Sequence, residues 1–209
     1  MATRRISELG AESKRVFSRM LWKTQAIKFG TFTLTSGKLS SYYIDLRVLP
    51  SHTQAFRKSV RIYESLAEKL GLMKFDKLAG IPTAGLLYAA VLAYRLGKPI
   101  FYMRKEAKDW GRERRIEGSL SSGERALLVD DVITTGRSIL EAAKTVRSEG
   151  GVVTDALVLV DREELGSKFL ANEGIKLHSF VRVRDIARAL HELGEITTER
   201  YHTILKQIV

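Results

Sequence analysis

Residues 126–143 read ALLVDDVITTGRSILEAA. Ala126 to Val129 is an apolar run of the kind that forms a strand buried on both faces of a parallel sheet. Two acids follow, Asp130 and Asp131, then a short polar turn, Thr134-Thr135-Gly136-Arg137-Ser138. Beyond the turn Ile139, Leu140, Ala143 and Val146 recur at helical spacing. Strand, small-residue loop and helix N-terminus together turn free backbone N–H groups toward an anion, and the helix dipole favours negative charge there. Gly136 permits close approach of the backbone, and the Thr and Ser hydroxyls can donate hydrogen bonds to phosphate oxygens.

The acids narrow the ligand. At the C-terminal end of a strand they occupy the place where open α/β sheets bind ligands. Two carboxylates repel a bare phosphate, so their partners are hydroxyl donors or a divalent cation. Phosphate donors on one side and hydroxyl acceptors on the other suit a phosphorylated sugar. On these residues alone, an ordinary strand end with a solvated acid pair and a capped helix is the plainer alternative.

The chain has 209 residues, enough for one well-packed α/β domain with small additions. Its longest apolar run, Leu86 to Tyr94, has the length of a buried helix and is too short to span a bilayer. The basic N-terminus lacks an apolar block, and Glu8 and Glu12 argue against an organelle presequence. The absence of cysteine leaves no disulfide or thiolate chemistry and is compatible with a cytoplasmic protein. A net charge of +11 would suit nucleic acid, anionic lipid or a polyanionic small molecule. Zinc-ligand spacing, an aromatic RNA-binding strand and a basic tail are all missing from the sequence, so no nucleic-acid partner is expected.

The remaining segments alternate. Glu12 to Phe29 has the periodicity of an amphipathic helix, and Phe32 to Arg47 (FTLTSGKLSSYYIDLR) that of two short strands around Ser36-Gly37-Lys38. Ser51 to Leu70 predicts a helix stopped by Gly71. Lys77 to Ala79, the turn Gly80 to Gly85 and Leu86 to Leu96 form a second strand–turn–helix unit. Pro99 to Met103, Val152 to Val160 and Leu177 to Val183 are further strands, with helices over Asp185 to Leu193 and Thr198 to Ile208. Arg104 to Gly123 has no apolar periodicity and suits a mobile, charged lid. Strands alternating with helices predict an α/β fold, a parallel twisted sheet with helices on both faces.

VDDVITTG with its apolar lead-in resembles the phosphoribosyl pyrophosphate (PRPP) signature of the type I phosphoribosyltransferases. Residues 104–111, RKEAKDWG, are similar to RKEAKDHG, the catalytic-loop signature of the orotate phosphoribosyltransferases. The FTLTSGKLSSYYIDLR block resembles their N-terminal hood, and Asp161-Arg162-Glu163 resembles a segment whose arginine contacts the orotate carboxylate. The motifs match in order from Phe29 to Arg162.

This resemblance implies a single domain over residues 1–209, with a hood over about 1–48, a core over about 49–209 and a mobile catalytic loop over about 104–123. It implies transfer of a phosphoribosyl group from PRPP to orotate, giving orotidine 5′-monophosphate and pyrophosphate. Asp130 and Asp131 would take the ribose hydroxyls, and Thr134, Thr135, Gly136, Arg137 and Ser138 the 5′-phosphate. The turn Gly80 to Gly85 would bind pyrophosphate. Arg104, Lys105 and Lys108 would neutralise the departing pyrophosphate. Tyr43, Ile44, Thr134 and Arg162 would meet orotate. Mg²⁺ would arrive on PRPP, near Asp130 and Asp131, with no dedicated protein cage. A homodimer sharing the catalytic loop between subunits is implied as well.

Three positions depart from the family pattern. Trp110 replaces the loop histidine, and an indole can neither take up a proton nor carry charge. Thr35 and Ala79 stand where many relatives carry lysines. Those departures are what a non-catalytic PRPP-binding regulator would show, although such a protein has no use for RKEAKD. A purine phosphoribosyltransferase would share the PRPP motif but not the hood block or Asp161-Arg162. A receiver-like signalling domain would have the acidic strand end without the lid or the phosphate turn.

Overall fold

A computed structural model of the chain describes residues 9–33, 37, 39–104 and 115–208. Helix α1, Ala11–Lys23, buries Phe17 and Leu21. Its periodicity extends to Phe29 in the sequence, yet the helix stops at Thr24, whose hydroxyl and N–H both bond to the Met20 carbonyl. Ile27–Thr33 is instead strand β1, paired antiparallel with β2, Leu39–Ile44, in the register Ile27↔Ile44. Ile27 and Phe29 fit either period, and the pairing with β2 decides between them.

A 3₁₀ turn over Leu46–Ser51 leads into α2, Thr53–Leu70. Then follow β3 (Lys77–Gly80), α3 (Ala84–Leu96), β4 (Ile100–Met103), β5 (Ile116–Glu117), β6 (Arg125–Val129) and β7 (Val132–Ile133). The chain continues through α4 (Arg137–Ser148), β8 (Val152–Asp161), α5 (Gly166–Asn172), β9 (Lys176–Arg182), α6 (Val183–Glu192) and α7 (Thr198–Leu205). Apart from the β1–β2 hairpin, the strands form one seven-stranded sheet. Its order is β5-β4-β3-β6-β8, with β9 on the far side of β8 and β7 continuing the line of β6. Every pairing in it is parallel except β4 with β5.

Alternation along the central strands divides the core. Leu127, Leu157 and Leu159 pack with Phe17, Tyr63 and Tyr88 on one face. Leu128 and Val158 pack with Ile139, Ala143 and Leu170 on the other. Each such fully buried side chain contributes roughly 1.5–3 kcal/mol relative to exposure. The hairpin joins the first cluster through Ile27, Tyr42 and Ile44, so it is seated on the face carrying α1, α2, α3 and α6. Among the described residues no helix is long and apolar enough to cross a membrane.

Two features were not legible as periodicity. Part of the aperiodic stretch 104–123 is ordered: β5 pairs Met103↔Ile116, the Arg104 N–H donates to the Arg115 carbonyl at 2.9 Å, and Lys77 Nζ donates to the Ser119 carbonyl at 2.8 Å. The short helix α5 is the other. Its first residue is Gly166, where a Cβ would lie 2.4 Å from the Thr134 carbonyl oxygen. Thr35, Lys38, Lys105, Lys108 and Trp110 lie outside the described residues.

Candidate functional site

The acid pair sits inside an interruption of the sheet, not beyond its end. The Asp130 N–H still donates to the Leu157 carbonyl at 3.0 Å, while the Asp131 carbonyl accepts from Leu159 N–H at 3.0 Å and Val160 N–H at 3.3 Å. Pairing then resumes in β7 at Val132↔Val160. From below, the Tyr63 hydroxyl donates to the Asp130 carbonyl. Helix α3 crosses so closely that a Cβ on Gly85 would lie 2.3 Å from the Val129 carbonyl oxygen. The backbone carrying the acids is therefore fixed before any ligand arrives.

Burial, and for Asp130 also the neighbouring charge of Asp131, raises both carboxyls above the ordinary aspartate range, Asp130 the more strongly. Asp130 Oδ1 accepts the Asp131 N–H at 3.0 Å and Asp131 Oδ1 accepts the Val132 N–H at 2.9 Å, which offsets part of that cost. A ligand that brings hydroxyl donors or a cation would relieve the rest. Among the described residues no cluster of three or more His, Cys, Asp or Glu side chains could hold a metal ion. Two adjacent carboxylates fit an ion that keeps its waters and arrives already bound to phosphates.

Beyond β7 the chain turns through Thr134 and Thr135 to Gly136, the N-cap of α4, with φ +81°. That left-handed conformation is costly for any residue with a Cβ. Thr135, Arg137 and Ser138 are exposed around it, and no side chain caps the first turn of α4. Open first-turn N–H groups at a helix start form an anion site. The second expected loop lies alongside: a cavity of about 190 Å³ is lined by Ile81, Pro82, Met103, Arg104, Arg115 and Ser138. The cavity brings Arg104 to the phosphate turn, with its Nε paired to Glu117 Oε1 at 2.5 Å. Ala79 is fully buried in β3, between Phe101 and Leu128 on the neighbouring strands.

Arg162 marks the other end of the site. It is only 6% exposed, its N–H donates to the Ile133 carbonyl at 3.1 Å, and its guanidinium lies 5.0 Å from the centre of the Tyr42 ring. Its Nη2 meets Glu164 Oε1 at 2.8 Å, while the buried Nε has no hydrogen-bond partner. Tyr43 and Ile44, expected together against a base, are consecutive strand residues and point to opposite faces. Ile44 enters the core, and Tyr43 lies outside against Phe32, 5.7 Å between ring centres. Only Tyr43 of the two can present its side chain on that outer face.

Arg47 is a residue that sequence reasoning missed. Its Nε pairs with Asp45 Oδ1 at 2.7 Å and its Nη2 reaches the Tyr43 hydroxyl at 3.5 Å. Asp45 is the main reason that its charge is held so firmly, and Asp131 adds a smaller part. The triplet Asp45-Leu46-Arg47 was visible in the sequence, but no spacing rule singled it out.

A family model for the phosphoribosyl transferase domain matches residues 52–172. An orotate phosphoribosyltransferase of Cenarchaeum symbiosum (strain A) is 46% identical over 181 residues, covering 86% of this chain and 90% of that protein. The crystal structure of orotate phosphoribosyltransferase from Aeropyrum pernix superposes with a TM-score of 0.73 at 36% identity, over 85% of this chain and 99% of that one. The structure of Leishmania donovani UMP synthase gives a TM-score of 0.84 at 31% identity. There the match covers 96% of this chain but 43% of the longer protein. With more than half of the chain matched by the family model and relatives of this kind at 36% and 46% identity over most of their length, the chain belongs to the orotate phosphoribosyltransferase family.

Proposed function

We infer that the protein transfers the 5-phosphoribosyl group of PRPP to orotate, giving orotidine 5′-monophosphate and pyrophosphate in pyrimidine biosynthesis. One observation supports this most: Arg162 is a buried guanidinium whose Nε has no hydrogen-bond partner, and its backbone N–H donates to the carbonyl of Ile133, just before the turn that follows the acid pair. A purine has no carboxylate for that guanidinium to meet, whereas orotate has one. Family membership supports the same activity.

The residues divide the work. Asp130 and Asp131 accept hydrogen bonds from the ribose hydroxyls and orient C1′. Thr134, Thr135, Gly136, Arg137 and Ser138 hold the 5′-phosphate through hydroxyls, cation and open N–H groups. Arg104 serves the pyrophosphate across the small cavity, with Lys105 and Lys108 completing the cationic set. Arg162 takes the orotate carboxylate, Tyr43 the base from the hood, and Thr134 borders it. The bond from C1′ to pyrophosphate loosens first, so positioning and charge stabilisation matter more than a strong base. Mg²⁺ bound to the pyrophosphate would supply further charge neutralisation, and Asp130 and Asp131 are carboxylates that could help to hold it.

The chain is read as one cytoplasmic domain, hood over about 1–48, core over about 49–209 and catalytic loop over about 104–123. It would work as a homodimer sharing that loop. Supporting the dimer, α3 is apolar nearly all round, and Leu87 and Tyr94 stand outward, Tyr94 88% exposed.

Orotate consumption with PRPP and Mg²⁺, followed by ultraviolet absorbance with adenine, guanine and hypoxanthine in parallel, tests the function. Turnover with orotate alone is expected. Turnover only with a purine would overturn the assignment, and PRPP binding without any turnover would favour a regulator.

A further inference from the structure

The strand end that carries Arg162 is crowded with acids, and the structure gives each a different task. Asp161 Oδ1 accepts the Glu163 N–H at 2.8 Å. Glu163 is committed to the start of α6, accepting from the Arg184 N–H at 3.1 Å and Nε at 2.5 Å. Glu164 alone turns back to Arg162, at 2.8 Å from Nη2. Left-handed backbone at Glu163 (φ 58°) and Leu165 (φ 68°) gives the segment that course.

Buried donors are almost always paired. The guanidinium of Arg162 rests near the Tyr42 ring and has one terminal nitrogen occupied, yet its buried Nε has no acceptor. Glu164 also borders a groove of about 760 Å³ beside the turn before α4, together with Thr135 and Arg137. An arginine side chain is long and has many rotamers, and presenting one edge to a planar carboxylate requires that the rest be held.

We propose that Glu164 is a positioning residue for the acceptor: by holding Nη2 it fixes the guanidinium of Arg162 beside Tyr42 for its contact with the carboxylate of the pyrimidine. This rests on the reading of Arg162 as the contact for orotate. Glu164 does not touch the reacting atoms, so its influence falls on acceptor affinity. The opposite arrangement, in which Glu164 occupies the place of the substrate carboxylate and must be displaced, predicts an effect of opposite sign.

The test is steady-state kinetics of full-length Glu164→Gln and Glu164→Ala beside the parent and Arg162→Ala. Glu164→Gln is expected to raise KM for orotate about tenfold, the loss of roughly one charge-assisted contact, with KM for PRPP and kcat within about twofold. Glu164→Ala should raise it further. A merely structural role would move the PRPP and orotate constants together, and that result would overturn the proposal. A fall in KM for orotate in Glu164→Gln would overturn it in favour of displacement, and unchanged constants would overturn it outright. Retained PRPP binding by calorimetry shows that a variant is folded. If Arg162→Ala leaves KM for orotate unchanged, the reading of Arg162 itself fails, whatever Glu164 does.

Discussion

The phosphate turn and the hood present two ways of building half a site. Around the acids, the backbone from Val129 to Ile133 is bonded into the parallel sheet on both sides of the interruption, and one contiguous stretch supplies strand, acids, turn and helix. Among the described residues the β1–β2 hairpin pairs only with itself. It is held to the rest by contacts from distant parts of the chain. Ser41 bonds to Gln207 Oε1 through its N–H at 2.8 Å and its hydroxyl at 3.0 Å. Tyr42 stands against Arg162, and the Tyr88 hydroxyl donates to the Leu46 carbonyl at 3.3 Å. The half proposed for phosphate is thus preformed by local sequence, and the half proposed for the acceptor is assembled by tertiary contact. Changes in the first should impair transfer as a whole, and changes in the second should fall on the acceptor constant.

The largest expected effect comes from Asp131→Asn. Losing the charge proposed to meet the ribose hydroxyls should lower kcat/KM by about 100- to 1000-fold, the scale for one electrostatic contact at a reacting centre. The same change should raise the thermal midpoint by about 2–4 °C, because it removes a buried like-charge pair. The sign follows from linkage. The folded carboxyl holds its proton more readily than an unfolded aspartate, so its stabilising contribution is complete below the ordinary aspartate value of 3.8 and is lost as pH rises through the raised value of the folded state. Thermal unfolding of the ligand-free protein from pH 4 upward should show stability lost with rising pH, and less steeply in Asp131→Asn. An unchanged slope would show that the pair is not strained.

Gly136→Ala should come next. A side chain at φ +81° costs about 1–2 kcal/mol, and its Cβ would lie 3.2 Å from the Gly166 carbonyl oxygen. KM for PRPP should rise roughly tenfold if that cost falls on the bound turn. Equal changes in both substrate constants would blur the comparison between the halves. The smallest effect belongs to Gln207→Ala, which removes both bonds to Ser41. KM for orotate should rise about threefold, less than one hydrogen bond's full net worth, with KM for PRPP unchanged. A larger change in the PRPP constant would mean that the hood and the phosphate half are one unit.

The same division explains what the sequence revealed. The acids, the turn and α4 lie in one run whose spacing has a physical meaning, so strand, loop and helix could be placed residue by residue. Tyr43 and Ile44 came from resemblance to the hood, and strand alternation sends them to opposite faces. Arg47 escaped because its partners, Asp45 and the Tyr43 hydroxyl, are close neighbours in the chain that no spacing rule singles out. Glu164 escaped because three neighbouring acids look alike until Arg184 claims Glu163. Strand β7 and helix α5 are too short for periodicity to show, and both exist through pairing and close packing with their neighbours.

The most direct test of the account compares orotate with uracil, the same ring without the carboxylate, as acceptors for the unmodified protein under identical PRPP and Mg²⁺. A site built to pair with a buried charged group rejects an analogue that lacks it, and the account predicts discrimination in kcat/KM of about 10⁴-fold or more. Comparable turnover of uracil would contradict the central claim that buried Arg162 selects the acceptor by its carboxylate.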